Sequence, residues 1–293
     1  MRQVDLHTHS NKSDGSYSPV ELVDYAVTKG LSAIALTDHD TTDGLAEAIA
    51  HAKSLALAGQ PSVEVVPGIE FSTKHEEKDV HIVGLYIAYD SPGFHGKLQE
   101  FVDSRTVRNI KMCNNLRTAG IDISYAKLQE RNPDAVITRA HYASFLLEEG
   151  YVKSRQDAFA QYLGDHTKYF VPREKVTPAQ AVSLILEAGG IPILAHPPLY
   201  HMGHERLDSL VSSLKNAGLM GIEALYSTYT HQDERDMMRL ASRYDLLLSG
   251  GSDFHGANKP NLDLGTGYGR LFVPEEFLDR LKYARSQLTP ASS

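Results

Sequence analysis

Near its start the chain reads DLHTHS, with His7 and His9 two residues apart and Asp5 and Asp14 close by. In an extended strand residues i and i+2 share a face, so both imidazoles would aim at one point. Further along, TDHD supplies Asp38, His39 and Asp40, GIEFS supplies Glu70, DVHIVG supplies His81, ILAHP supplies His196, and GGSDFHG supplies Asp253 and His255. Six of these imidazoles (His7, His9, His39, His81, His196, His255) and three carboxylates (Asp14, Glu70, Asp253) make nine donors, enough for three protein ligands on each of three ions. Nitrogen and carboxylate donors with open positions suit Zn²⁺, Mn²⁺ or Fe²⁺ rather than a thiolate site. Three carboxylates facing three divalent ions leave a net positive cleft, which favours an anion. A phosphate can bridge such ions while water activated by them attacks phosphorus.

Most of these residues lie where an apolar, β-branched run ends. The runs are VDLHTH at the start, AIALTDHD near 35, VEVVPGIEFS near 65, VHIVGLYI from 80, IPILAHP from 191, GIEALY from 221, LLLSGGSDFH from 246 and RLFVP near 270. Helix signals alternate with them. SPVELVDYAVTKGL offers Ser18 as N-cap, Pro19 in the first helical position and Gly30 as a stop, and TPAQAVSLILEAGG repeats that grammar from Thr177 and Pro178. Alternation of this kind predicts an α/β fold with a parallel, helix-covered sheet. In such barrels the C-terminal strand ends converge on the active site. His81 breaks the rule, because it begins its run. Between about His95 and Pro172 the chain is charged and helix-favouring, which predicts a helical insertion over 95–172 between barrel segments 1–94 and 173–293. The tail TPASS is expected to fray.

The bulk properties narrow the function. At 293 residues the chain suits one barrel or two modest domains, and its formal net charge of −8 gives no global basic field for long polyanions or anionic membranes. Any phosphate recognition must therefore be local. The one cysteine, Cys113, excludes a disulfide framework and cysteine-rich zinc sites, and is expected to be an inert helix residue. There is neither a long apolar span nor a secretory start, which predicts a cytoplasmic protein without membrane association.

Taken in order, His7-x-His9, TDHD at 37–40, Glu70, His81, AHP at 195–197 and SDFH at 252–255 resemble the motifs of the PHP (polymerase and histidinol phosphatase) superfamily, and they span nearly the whole chain. The resemblance implies a distorted (β/α)7 TIM-like barrel with a phosphoesterase centre of two to three divalent ions, Mn²⁺ first, with Fe²⁺ or Zn²⁺ as alternatives. It implies that Glu70 bridges two ions, with His7, His9 and Asp253 on one and His81 and His196 on the other, while Asp14, His39 and His255 hold a third. Asp38 is expected to orient a ligand, since metal-bound histidines usually give their second nitrogen to a carboxylate. ITRAHYASFLLEEGYV, LAHPPLY and SGGSDFHG together resemble the 3′,5′-nucleotide bisphosphate phosphatases, which remove the 3′-phosphate of adenosine 3′,5′-bisphosphate (pAp) to leave AMP; some of their relatives trim RNA from the 5′ end. Two departures from that pattern are Thr138, where a Gly is common, and Leu199, where relatives often carry an Arg.

Outside the metal set, Arg139 and His141 sit in the insertion, where a lid could bring them to the ions, and Arg105 and Arg108 offer a second phosphate grip. Tyr200, with Phe71 and Tyr226 behind it, is the candidate to stack a purine. His201 and His204 read as loop histidines. Asp40, a liganding acid, His141 or water could protonate the leaving group. The expected activity is metal-dependent phosphatase action on a small nucleotide, with no obligate protein partner. A nuclease acting on short RNA, histidinol-phosphate phosphatase and a catalytically silent metal-binding module are the alternatives.

Overall fold

The computed structural model describes residues 2–76, 78–172 and 176–288, the side chains at 100, 101 and 104 excepted. The frayed tail expected at TPASS and the resumption of the barrel at 173 lie outside those residues.

Eight strands form one sheet: β1 (Gln3–Thr8), β2 (Ala33–Leu36), β3 (Glu64–His75), β4 (Lys78–Leu85), β5 (Ile191–Leu194), β6 (Gly221–Tyr226), β7 (Leu247–Gly251) and the short β8 (Val273–Pro274). Their order is β7-β6-β5-β4-β3-β2-β1-β8. The sheet nearly closes into a barrel where the chain beyond β7 meets β1. There Asp253 N donates to His7 O at 2.9 Å and His9 N to Phe254 O at 2.9 Å. Gly251 makes this approach possible, since a Cβ there would come within 2.5 Å of the His7 backbone nitrogen.

Helices α1 (Pro19–Thr28), α2 (Leu45–Leu57), α7 (Pro178–Glu187), α8 (His204–Asn216), α9 (His231–Arg243) and α10 (Glu275–Gln287) follow or join the strands. The two sequence-marked starts form capping boxes, Ser18 with Glu21 and Thr177 with Gln180. Strand periodicity then sorts the side chains. On β3, Ile69 and Phe71 join the hydrophobic cluster shared with Leu22 and Ile185, which turns Glu70 to the opposite face. Val80 and Ile82 do the same for His81, and Ile222 and Ala224 for Glu223.

The sheet is not wholly parallel, contrary to the sequence expectation. β4 runs antiparallel to both β3 and β5, and β8 antiparallel to β1. Only two residues separate β3 from β4, too few for a crossover helix, and so short a connection can only join antiparallel strands. This reversal resolves the exception at His81. The start of β4 lies beside the C-terminal ends of its neighbours, and His81 O accepts from Ala195 N at 3.1 Å just past β5. RLFVP contributes only two strand residues, Val273 and Pro274.

Between β4 and α7 lie α3 (Pro92–Arg117), α4 (Tyr125–Arg131), α5 (Arg139–Glu148), α6 (Arg155–Ala158) and a π-helical turn, Phe159–Leu163. The first part of α3 packs Phe94 and Leu98 into the barrel cluster. From Met112 to Leu163 these helices bury a separate core that includes Cys113, Leu116, Tyr142 and Leu146. No helix among the described residues is long and apolar enough to cross a membrane.

Candidate metal centre

Glu70 stands at the middle of the site with five imidazoles around its carboxylate. Its Oε2 lies 3.1 Å from His7 Nε2, 3.2 Å from His9 Nε2 and 3.1 Å from His39 Nδ1. Its Oε1 lies 2.8 Å from His81 Nδ1 and 3.0 Å from His196 Nε2. Asp253 Oδ1 approaches His9 Nε2 at 3.2 Å and His255 Nδ1 at 3.3 Å, while Asp14 Oδ1 approaches His255 Nε2 at 3.1 Å. All nine candidate ligands are thus brought together, from positions as far apart in the chain as His7 and His255.

Their donor atoms fall into overlapping groups: His7, His9 and Asp253; His39, Glu70 and His81; and His9, Asp14, His39 and His255. Donors bound at about 2.0–2.2 Å to a common ion stand roughly 3 Å or a little more from each other, which is the spacing seen. Among the described residues, His7 Nε2, His9 Nε2, His39 Nδ1 and Asp14 Oδ1 are buried without a hydrogen-bond partner. Buried polar atoms are rarely left so. Orphaned donors converging on shared points fit divalent ions.

For His7, His9 and His255 the other ring nitrogen meets a neighbour, which orients the ring toward the centre. Glu223 Oε1 takes His7 Nδ1 at 2.8 Å, and its Oε2 accepts from the His196 backbone at 2.7 Å. His255 Nδ1 donates to Asp253 O at 2.8 Å. His9 Nδ1 faces Ser13 Oγ at 3.4 Å, and that hydroxyl donates to Asp38 Oδ1 at 2.6 Å. Asp38 therefore acts on His9 through a serine instead of directly, and it also holds Ser10 by two hydrogen bonds. Glu223 escaped the sequence reading, although an acid in the apolar run GIEALY was its available signal. Lys259, paired with Asp253 Oδ2, and Tyr226, whose hydroxyl donates to the same oxygen at 2.6 Å, also escaped it as supports of the centre.

Burial alone would strip protons from His7 and His9, but the surrounding carboxylates outweigh it. Glu223 and Glu70 hold His7 well above its usual range, and Asp253 and Glu70 raise His9 to about 9. Burial likewise pushes up Glu70, Asp14 and Asp253, yet the imidazoles, with Lys259 at Asp253, keep all three well below the usual carboxylate range. His39 is lowered to about 3 by burial. Without ions, then, the site keeps anionic oxygens and holds protons where cations would neutralise them.

Part of the chain's backbone strain lies here. Asp40, His196 and Asp253 adopt left-handed φ values of 54°, 32° and 57°. For non-glycine residues this costs about 1–3 kcal/mol each, and such costs concentrate at functional sites.

Several of the remaining candidates lie at a cavity of about 190 Å³ beside the centre, lined by Asp14, His39 and His81 and by Arg105, Arg108, Arg139 and Phe159 of the insertion. Arg105 is buried and paired with Asp40, whose Oδ1 also accepts from Ser72 N at 3.0 Å. Arg139 reaches Asp165 at 2.6 Å and Asp79 at 2.5 Å. His141 Nδ1 accepts from Thr138 N at 2.9 Å, so that nitrogen carries no proton, and burial lowers its pKa. Tyr200 is only 4% exposed and bonds the backbone of His81 and Ala195, a placement that supports two histidine segments and leaves no face for a base. Phe71 and Tyr226 are buried as well.

A family model described as PHP domain matches residues 5–177. The chain belongs to the PHP family. It is 37% identical over 254 residues to a 5′-3′ exoribonuclease of Haemophilus influenzae, covering 87% of this chain and 90% of that one. It is 34% identical over 267 residues to a 3′,5′-nucleoside bisphosphate phosphatase of Chromobacterium violaceum, covering 90% and 91%. Among solved structures, an amidohydrolase from Chromobacterium violaceum with bound sulfate superposes with a TM-score of 0.84 at 32% identity, covering 97% of this chain and 96% of that one. This PHP protein is a metal-dependent phosphoesterase.

Proposed function

We propose that the protein removes the 3′-phosphate from nucleoside 3′,5′-bisphosphates, converting pAp and water to AMP and phosphate. The carrying observation is the cavity, which is lined both by metal-ligand groups and by guanidinium groups of the insertion. One phosphate would meet the centre while the other meets the insertion. The bisphosphate phosphatase relative supports this choice, and the sulfate in the structural neighbour supports anion binding at such a fold.

In this reading His7, His9 and Asp253 would hold one ion, His81 and His196 a second, and His39, Asp14 and His255 a third, with Glu70 within reach of the first two sets. Bound divalent ions supply Lewis acidity toward the phosphate oxygens and lower the pKa of water. The chain's residues do the positioning. Arg108 orients the non-reacting phosphate, whereas Arg105, paired with Asp40, and Arg139, paired with Asp79 and Asp165, brace the wall. Asp38, Asp40 and His141 hold neighbours in place, each being engaged by backbone or side-chain partners. The O–P bond from water forms as the P–O3′ bond breaks; the attacking water gives up a proton to solvent, and the 3′-oxygen takes one from solvent.

The exoribonuclease relative favours a second reading, in which the same centre cleaves a phosphodiester at the 5′ end of RNA. Phosphate release and product chromatography with the metal-loaded enzyme separate the two, over pAp, 3′-AMP, histidinol phosphate and a short 5′-phosphorylated RNA. The expected result is fastest turnover of pAp, with AMP as the early nucleotide product. Trimming of RNA without turnover of pAp would replace the phosphatase reading with the nuclease one.

A further inference from the structure

We infer that Phe159 is the stacking platform for the nucleobase, so that the insertion selects nucleosides over other phosphate esters; this rests on the proposed function. The aromatics first expected to stack a base are buried, at 1% for Phe71 and 4% for Tyr200 and Tyr226. Phe159 is 37% exposed and is the one phenyl or phenol ring among the described residues lining the cavity. It shares that cavity with His39 and His81 of the metal centre and with Arg108 and Arg139.

Three features suit the role. At about 190 Å³ the cavity is smaller than the roughly 300–1,000 Å³ of pockets that enclose whole ligands, so the end remote from the ions lies at its mouth. Phe159 opens the π-helical turn Phe159–Leu163, a rare geometry found frequently at functional sites. The Arg139 guanidinium lies 5.9 Å from the Phe159 ring and 5.7 Å from Phe170, and is itself clamped by Asp79 and Asp165. A guanidinium held in place by two carboxylates thus sits against the ring and fixes it as a stacking surface.

The test compares Phe159→Ala and Phe159→Trp with the parent, all metal-loaded, on pAp and on its base-free analogue, 2-deoxyribose 3,5-bisphosphate. Alanine should raise KM for pAp about ten- to a hundredfold relative to KM for the base-free compound, and tryptophan should restore it. A second readout does not need turnover: 2-aminopurine riboside 5′-phosphate should be quenched on binding the parent and not the alanine variant. Equal KM changes on both substrates, or quenching that survives the alanine change, would overturn the platform. Failure of the parent to hydrolyse pAp would count against the proposed phosphatase activity, while the quenching comparison would still decide the platform.

Discussion

The metal centre has two halves that are built differently. Around Glu70 every donor sits on or next to a barrel strand: His7 on β1, His81 on β4, His196 just beyond β5. Ile69 and Phe71 in the core fix the direction of Glu70, and Glu223 ties His7 to His196. Around Asp14 the support comes from outside. Asp14 lies on an irregular segment between β1 and α1, and the insertion holds it. Thr138 Oγ1 donates to Asp14 Oδ2 at 3.0 Å, and Val136 N donates to Lys12 O at 3.0 Å. Arg155 grips Asn258, whose side chain donates to Asp14 O at 2.9 Å. One half follows from folding the barrel; the other depends on the insertion being docked.

The largest effect should come from the barrel half. Glu70→Gln removes a charge that five imidazoles share, so metal retention should collapse and phosphate release should fall by about a thousandfold or more. Elemental analysis and activity on one preparation check it, and a variant keeping both would dissolve the distinction. Next in size is the joint between the insertion and that half. Arg105→Met removes the cation that faces the buried Asp40 carboxylate, which should cost about 3–5 kcal/mol in denaturant unfolding, and adding Asp40→Asn should recover most of it.

Smaller changes grade the two halves against each other. Glu223→Gln weakens the partner of His7 Nδ1, and metal affinity should drop about 10–100-fold with the fold intact by circular dichroism. Thr138→Val deletes one hydroxyl, worth about 1 kcal/mol, so a single ion should bind roughly five- to tenfold more weakly while the others are retained. Thr138→Ser should behave like the parent. Metal titration that showed every ion weakened alike by Thr138→Val would mean that the halves are one unit.

The same division explains what the sequence disclosed. Histidines and acids at strand ends declare themselves because apolar runs frame them, whereas Asp14 stood out by its closeness to His7 and His9; the capped helices at Ser18 and Thr177 were readable too. What hid were features that depend on pairing across the fold. The reversal of β4 could not be seen in VHIVGLYI, because a single strand carries no record of its neighbours' direction. Glu223 looked like one polar residue in a strand until its face was known. The arginines of the insertion advertised phosphate binding by charge alone, yet Arg105 spends its charge on Asp40 and Arg139 is shared between Asp79 and Asp165. Thr138, noticed only as a departure from glycine, reaches Asp14 across more than a hundred residues of chain.

The smallest prediction concerns pH and the docked half. Burial lowers the His141 pKa, and its Nδ1 must stay unprotonated to accept from Thr138 N. In the unfolded chain the same imidazole takes a proton near pH 6.5. Below that value the unfolded state binds more protons than the folded one, so stability falls as pH drops and levels off only beneath the folded pKa. His141 should thus contribute a loss of at most about 1.4 kcal/mol per pH unit on acidification from neutrality, whereas His141→Asn should remove that slope and keep a side-chain acceptor for the Thr138 amide. Metal-ligand histidines titrate in both proteins, so the quantity to measure is the difference between the two unfolding curves from pH 7 to pH 5, in the same chelator-treated state. A difference that stays flat across that range would show that His141 does not couple the insertion to protons. A difference that shrinks toward acid, together with weaker binding of one ion by the parent, would place the pH sensitivity of the Asp14 half in the insertion that holds it.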